Sequence, residues 1–97
     1  MTQRYQYRRL GPAAFRDLLS STSLRRSDFM RVSGRHSIVL AQYLGEDVAA
    51  RSRGAEPSMG DVMLLELAAR VPGLADTMLD IADEYLLPVE DVERGRT

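Results

Sequence analysis

The chain has 97 residues, a net charge of −1 and a hydrophobic share of 44%, values that are typical of one small globular domain. It contains no cysteine, so disulfide frameworks and thiolate metal sites are excluded. The opening MTQRYQYRRL lacks the apolar segment of a signal peptide, and the most apolar run, DVMLLELAARV, is too short to cross a bilayer. We therefore expect a cytoplasmic protein.

The charges are distributed unevenly along the chain. Residues 1–53 carry ten arginines against four acidic residues, a net +6, whereas residues 54–97 carry three arginines against ten acidic residues, a net −7. Every basic residue is arginine, whose planar guanidinium binds phosphate oxygens and guanine edges in bidentate fashion. The basic half indicates contact with a polyanion, although chance scatter along a short chain would give the same pattern.

Helical periodicity predicts an all-α, compact five-helix bundle, and no segment alternates as a strand does. The first helix is expected near residues 12–20, where Pro12 suits a first helical position. The second is expected near residues 25–32 and should end at Gly34, because glycine adopts the left-handed conformation of a tight helix stop.

The third helix is expected near residues 36–44, with Gly45 as its stop. One continuous face is apolar, formed by Val39, Leu40, Tyr43 and Leu44. The other side carries Ser37, Ile38, Ala41 and Gln42. Residues 46–57 then read as a loop, because they contain glycine and proline and show no apolar period.

The fourth helix should begin at Ser58, which forms a capping box with Asp61. Apolar residues cover most of its circumference, so we expect it to be the buried centre of the bundle, with Met59 and Met63 filling the core. The remaining polar side of the helix carries Glu66 and Arg70, a favourable ion pair four residues apart.

The fifth helix should be amphipathic and end before Pro88. Its apolar stripe consists of Leu74, Met78, Ile81 and Tyr85, opposite Asp76, Asp80 and Asp83. The domain is therefore expected to span residues 11–87, preceded by an N-terminal arm (1–10) and followed by a flexible tail (88–97). Arg4, Arg8 and Arg9 of the arm would either reach a polyanion or be disordered.

Enzymatic activity is not expected. His36 is the only histidine, so sites with two imidazole ligands are excluded. No serine lies in a nucleophile-elbow context, and no phosphate-binding glycine motif is present. We therefore predict no catalytic residue, no metal site and no cofactor.

The second and third helices, joined at Ser33-Gly34, have the layout of a helix-turn-helix unit. In such a unit the second helix packs by one face and places the other in the DNA major groove, which requires small or polar residues there. The residues predicted to read bases are Arg35, His36, Ser37, Ile38, Ala41 and Gln42. Those predicted to bind phosphates are Arg25, Arg26, Arg51 and Arg53. A surface or capping role for His36, and a role in solubility for Arg51 and Arg53, explain these residues about as well.

The segment LRRSDFMRVSGRHSIVLAQYL, residues 24–44, resembles the helix-turn-helix of the phage-repressor-like (Cro/XRE-type) DNA-binding proteins. In that family the turn glycine is followed at set distances by a buried aliphatic residue and often an aromatic one, and Gly34, Leu40 and Tyr43 match these places. PSMGDVMLLELAARVPGL is similar to the family's following helix. The resemblance, over roughly residues 15–80, implies a lambda-repressor-like DNA-binding domain and a small bacterial or phage regulator.

The sequence therefore predicts a sequence-specific regulator of transcription that binds double-stranded DNA. A homodimer is expected, because one recognition helix reads only a few base pairs. The apolar stripe of the fifth helix would form the dimer or partner interface, although closing the monomer's own core would explain it equally well. Two other classes stay open: a helical protein-interaction module, and an antitoxin-like regulator whose acidic half also binds a partner protein.

Overall fold

The structure, a computed structural model, describes residues 4–46 and 56–87 of the protein, and these residues are all-α. In these ranges it forms five helices and no strand: α1 (Pro12–Ser20), α2 (Arg26–Ser33), α3 (Ser37–Tyr43), α4 (Met59–Arg70) and α5 (Leu74–Tyr85). The all-α, five-helix prediction is confirmed. Within the same ranges, no helix is long and apolar enough to span a membrane. The 88–97 tail and most of the 46–57 loop lie outside the described residues.

Local signals determine where the helices begin and end. Pro12 occupies the first turn of α1, where its missing N–H leaves no hydrogen bond unmade. At the other end, Ser21 Oγ donates to the carbonyl of Leu18 at 2.6 Å and Thr22 Oγ1 to that of Leu19 at 2.7 Å. These bonds satisfy carbonyls that have no partner within the helix.

The core is built around an aromatic cluster that joins the first three helices. Phe15 of α1 meets Phe29 of α2 edge-on, with ring centroids 5.7 Å apart, and Tyr43 of α3 at 5.3 Å. Edge-to-face pairs of this kind contribute about 0.5–1.5 kcal/mol each beyond the burial of their area. Leu40 and Leu65 are also fully buried and attach α3 and α4 to the same core.

The structure corrects the prediction for α4, which is not the buried centre of the bundle. Its buried residues are Asp61 and Leu65 alone. Met59 and Met63 are exposed, as are Leu67 and Val71, so the prediction that the two methionines fill the core is wrong. The reason is that, among the described helices, α4 packs chiefly against α1 and α5, so part of its apolar surface stays exposed.

Candidate nucleic-acid interface

A tight turn joins α2 to α3. Gly34 caps α2 in the left-handed conformation, with φ 72° and ψ 11°, as the sequence predicts. Its N–H donates to the carbonyl of Met30 at 2.9 Å, and the next N–H, that of Arg35, donates to Ser33 Oγ at 3.1 Å. Residues 34–36 alone separate the two helices, so α3 has a well-defined direction relative to α2.

The third helix divides into a buried face and an outward face, as the sequence predicts. Leu40, Tyr43 and Leu44 are buried in the core. On the outward side Ile38 is 47% exposed, Ser37 is exposed, and Ala41 and Gln42 are half-buried. Apart from Ile38, the outward side is therefore made of small or polar side chains, and another molecule can approach the helix backbone closely at Ser37 and Ala41.

His36 is the N-cap of α3 and is exposed. Its Nδ1 accepts a hydrogen bond from the backbone N–H of Ile38 at 3.3 Å. In the neutral ring this bond places the proton on Nε2, which is then a donor. One residue can thus satisfy an unpaired N–H of the helix and still donate a hydrogen bond to another molecule.

The C-terminal end of α3 is fastened to α1. Arg16 donates from Nη2 to the carbonyl of Leu44 at 2.8 Å. Beside it, Gly45 adopts φ 75° and lies so close to Pro12 that an added Cβ would be 2.7 Å from the Pro12 Cβ. The sequence predicts Gly45 as a helix stop, but only the structure shows that it also makes room for α1.

A single carboxylate of α4, that of Asp61, connects the two ends of α3. Asp61 is 4% exposed and accepts a hydrogen bond from Arg35 Nε at 3.1 Å and another from the Tyr43 hydroxyl at 3.0 Å. It also completes the predicted capping box, because its Oδ2 accepts from the backbone N–H of Ser58 at 3.1 Å. Arg35 Nη2 donates to Ser58 Oγ at 3.3 Å.

The network changes the acidity of its members. Burial acts to raise the pKa of Asp61, but hydrogen bonds from Arg35, Ser58 and Tyr43 outweigh it and hold that pKa below its ordinary value. Burial, reinforced by the hydrogen bond to Asp61, raises the pKa of Tyr43 to about 12. At neutral pH the network therefore consists of a carboxylate, a guanidinium and a neutral phenol.

Two of the four arginines predicted to bind phosphates lie in the described part of the chain. Arg25, just before α2, has a side chain that is 83% exposed, with Nε 3.4 Å from Asp28. Arg26 makes a two-pronged pair with Glu46, at 2.7 and 2.9 Å. Arg51 and Arg53 lie outside the described residues.

The stripe of α5 divides into two parts. Leu74 and Met78 are half-buried, and Met78 packs against the protein's own core. Ile81 is exposed, and Tyr85 is 80% exposed. Leu86 and Leu87 continue this exposed apolar end, while Asp83 beside it is paired with Arg31 of α2.

Several contacts that hold α3 and the N-terminal segment in place could not be predicted from the sequence. Asp61 is visible there only as a capping residue, and its contacts with Arg35 and Tyr43 join positions far apart in the chain. In the N-terminal segment Tyr7 donates to the carbonyl of Pro57 at 2.5 Å, and Arg9 pairs with Glu56 at 2.7 Å. These contacts hold the segment against the entrance to α4.

Comparisons with protein-family models, curated proteins and solved structures found no significant match to this chain.

Proposed function

We propose that this protein is a sequence-specific, double-stranded DNA-binding regulator of transcription from a bacterium or phage. Helix α3 would lie in the major groove, and two chains would act together. No catalytic step or cofactor forms part of this proposal.

The observation that carries the proposal is the way α3 is presented. It is a short helix held near both ends: Arg16 and Asp61 bond to Leu44 and Tyr43 at its C-terminal end, and Asp61 bonds to Arg35 just before its N-cap. Its outward face carries small and polar side chains together with Ile38. A rigid helix with such a face can enter the major groove, which is about 12 Å wide, and bring its side chains to base edges.

The outward residues supply different kinds of contact. Gln42 can pair with adenine through N6 and N7, and Ile38 can contact the methyl group of thymine. His36 has an Nε2 donor for a phosphate or guanine acceptor, while Ser37 can donate or accept. Ala41 would keep the backbone close to the DNA.

Phosphate contacts would come from the arginines around this helix. Arg25 is exposed at the start of α2. The pair between Arg26 and Glu46 lies at the surface, where such pairs contribute at most about 1 kcal/mol, so a phosphate can take the place of Glu46. If about six phosphates are neutralised per subunit, log affinity falls with log salt at a slope of about −5.

Two half-sites about one DNA turn apart would be read by two subunits. We assign the contact between subunits to the exposed end of the α5 stripe, Ile81 and Tyr85, because Met78 already packs in the monomer's core. Sedimentation equilibrium of the free protein and of its DNA complex measures the number of chains in each.

The test is a binding titration of the wild type and Gln42→Ala against DNA from the protein's own promoter region. Scrambled DNA of the same length is the control, and each titration is run at two salt concentrations. We expect tight binding to the promoter alone, and Gln42→Ala should lose about 1–3 kcal/mol of discrimination at one A·T pair. Equally weak binding to both DNAs, or none, would refute a sequence-specific regulator.

A protein-interaction role, alone or combined with DNA binding as in an antitoxin, is the second candidate. The exposed apolar end of α5 favours it, since exposed aromatic and aliphatic side chains that lie together often mark a protein contact. The same titration identifies a protein-interaction role without DNA binding, because such a module would show no preference for promoter DNA and its binding would not change with Gln42→Ala.

A further inference from the structure

We propose that Arg35 is a positioning residue for DNA recognition: held by Asp61, it fixes the placement of α3, and it does not itself read bases. This inference rests on the proposed DNA-binding function and revises one role predicted from the sequence. Arg35 stands immediately before the N-cap of α3, and its side chain turns to α4.

The geometry gives Arg35 two acceptors inside the protein. Its Nε donates to Asp61 Oδ1 at 3.1 Å, and its Nη2 donates to Ser58 Oγ at 3.3 Å. The other oxygen of the same carboxylate accepts from the hydroxyl of Tyr43 at 3.0 Å. Asp61 thus holds the residue before the N-cap of α3 and the last residue of α3, about two helical turns apart, and fixes the helix against α4 at both ends.

The electrostatics favour an Arg35 side chain that remains paired with Asp61 when DNA binds. Asp61 is almost completely buried, and a buried carboxylate that loses its cation is strongly destabilised. If Arg35 moved to a base or phosphate, Asp61 would keep only neutral donors, namely Tyr43 and the N–H and hydroxyl groups of Ser58. The Arg35–Asp61 pair also has no net charge, so it adds little to the attraction of the surface for DNA.

The positioning role and a direct contact predict opposite effects for Asp61→Asn. If Arg35 positions α3, loss of the Asp61 charge loosens the helix and weakens specific binding. If Arg35 contacts DNA, Asp61→Asn releases the arginine and binding is maintained or strengthened. Glu66→Gln is the matched control, because it removes one negative charge from the same helix at a residue that pairs only with Arg70 among the ion pairs of the described chain.

The experiment measures the affinity of wild type, Arg35→Met, Asp61→Asn, the double variant and Glu66→Gln for promoter and scrambled DNA over a range of salt. All measurements are made at a temperature where each variant is folded. We expect Arg35→Met and Asp61→Asn each to weaken promoter binding about tenfold relative to Glu66→Gln, with scrambled DNA nearly unaffected. The double variant should lose no more than the worse single variant, because both changes remove one interaction.

The salt dependence gives a second criterion. A positioning residue releases no counterion on binding, so Arg35→Met should leave the slope of log affinity against log salt unchanged. A phosphate contact would reduce that slope by about 0.9. A reduced slope, or an Asp61→Asn variant that binds promoter DNA as tightly as Glu66→Gln, would overturn the proposal.

Amide hydrogen exchange in the free protein tests the positioning without DNA. We expect the α3 amides of Arg35→Met to exchange about tenfold faster than in the wild type, with those of α1 unchanged. A pure base-reading role predicts no change in the free protein, and that result would also overturn the proposal. If the wild type binds no promoter DNA, the proposed function fails, and the exchange result still decides whether Arg35 holds α3. Arg35→Met keeps this test available if Asp61→Asn does not fold.

Discussion

Replacing Tyr43 with phenylalanine removes one hydrogen bond to a buried carboxylate and leaves the aromatic ring in place beside Phe15. A hydrogen bond to a charged group contributes about 1.5–3 kcal/mol. Asp61 keeps its donors Arg35 and Ser58, so we expect the lower end, a loss of about 1.5 kcal/mol at pH 7. Urea unfolding followed by circular dichroism measures this loss, which corresponds to a fall in Tm of about 6–12 °C for a domain of this size.

The same variant has a specific alkaline signature. Burial and the hydrogen bond to Asp61 raise the pKa of Tyr43 from 10.0 to about 12 in the folded protein. A raised folded-state pKa contributes stability that is complete below the unfolded pKa and is lost as the pH rises towards 12. At pH 11, which lies between the unfolded and folded pKa values, the wild type should have lost roughly 1 kcal/mol through this phenol, and Tyr43→Phe none. The difference in stability between the two proteins should therefore be much smaller at pH 11 than at pH 7.

Two other tyrosines provide controls for this measurement. Tyr85 is 80% exposed, so Tyr85→Phe should change the free energy of unfolding by less than about 0.5 kcal/mol at pH 7. Tyr7 donates to a backbone carbonyl, a neutral bond, so Tyr7→Phe should lose about 0.5–1.5 kcal/mol. The reasoning is refuted if Tyr43→Phe is as stable as Tyr85→Phe at pH 7, or if its difference from the wild type stays constant up to pH 11.

The remaining predictions concern two glycines and the acid limb of stability. Gly34 and Gly45 both have positive φ, but a Cβ on Gly34 meets open space whereas one on Gly45 would lie 2.7 Å from Pro12. Gly34→Ala should therefore lower the free energy of unfolding by about 1 kcal/mol through backbone strain. Gly45→Ala should lower it by about 3 kcal/mol, because overpacking against Pro12 adds to the strain. Equal losses in urea unfolding would show that the first turn of α1 moves to make room for the new methyl group. The lowered pKa of Asp61 contributes stability that is complete above the unfolded value of about 3.9 and is lost as the pH falls through the lower folded value. Asp61→Asn should thus be less stable than the wild type at pH 7, and its free energy of unfolding should fall less steeply below pH 4. Urea unfolding at pH 7, 4 and 3 measures this. If the free energy of unfolding falls equally in both proteins, carboxylates other than Asp61 cause the loss of stability in acid.

The helix boundaries were predictable because the signals that fix them are local. Pro12, Gly34 and the Ser58–Asp61 capping box each act on backbone groups within a few residues of themselves. The buried face of α3 was equally predictable, since periodicity places Leu40 and Tyr43 on one side of any helix formed by this segment.

The role of Arg35 and the exposure of α4 were not predictable in the same way. An apolar run such as that of α4 indicates a helix, but how much of it is buried depends on how many neighbours pack around it, and α4 has chiefly two. Likewise, an arginine at a helix start is consistent with a DNA contact, and nothing near it in the sequence indicates that its partner lies on another helix.

The sequence by itself determined the five helices, their ends and the outward face of α3, because backbone hydrogen bonding and helical periodicity act over a few residues. Only the tertiary structure decided which carboxylate holds Arg35, which end of the α5 stripe remains exposed and how closely Gly45 approaches α1. Such contacts join residues far apart in the chain, and they depend on the angles at which helices pack, which no local pattern specifies.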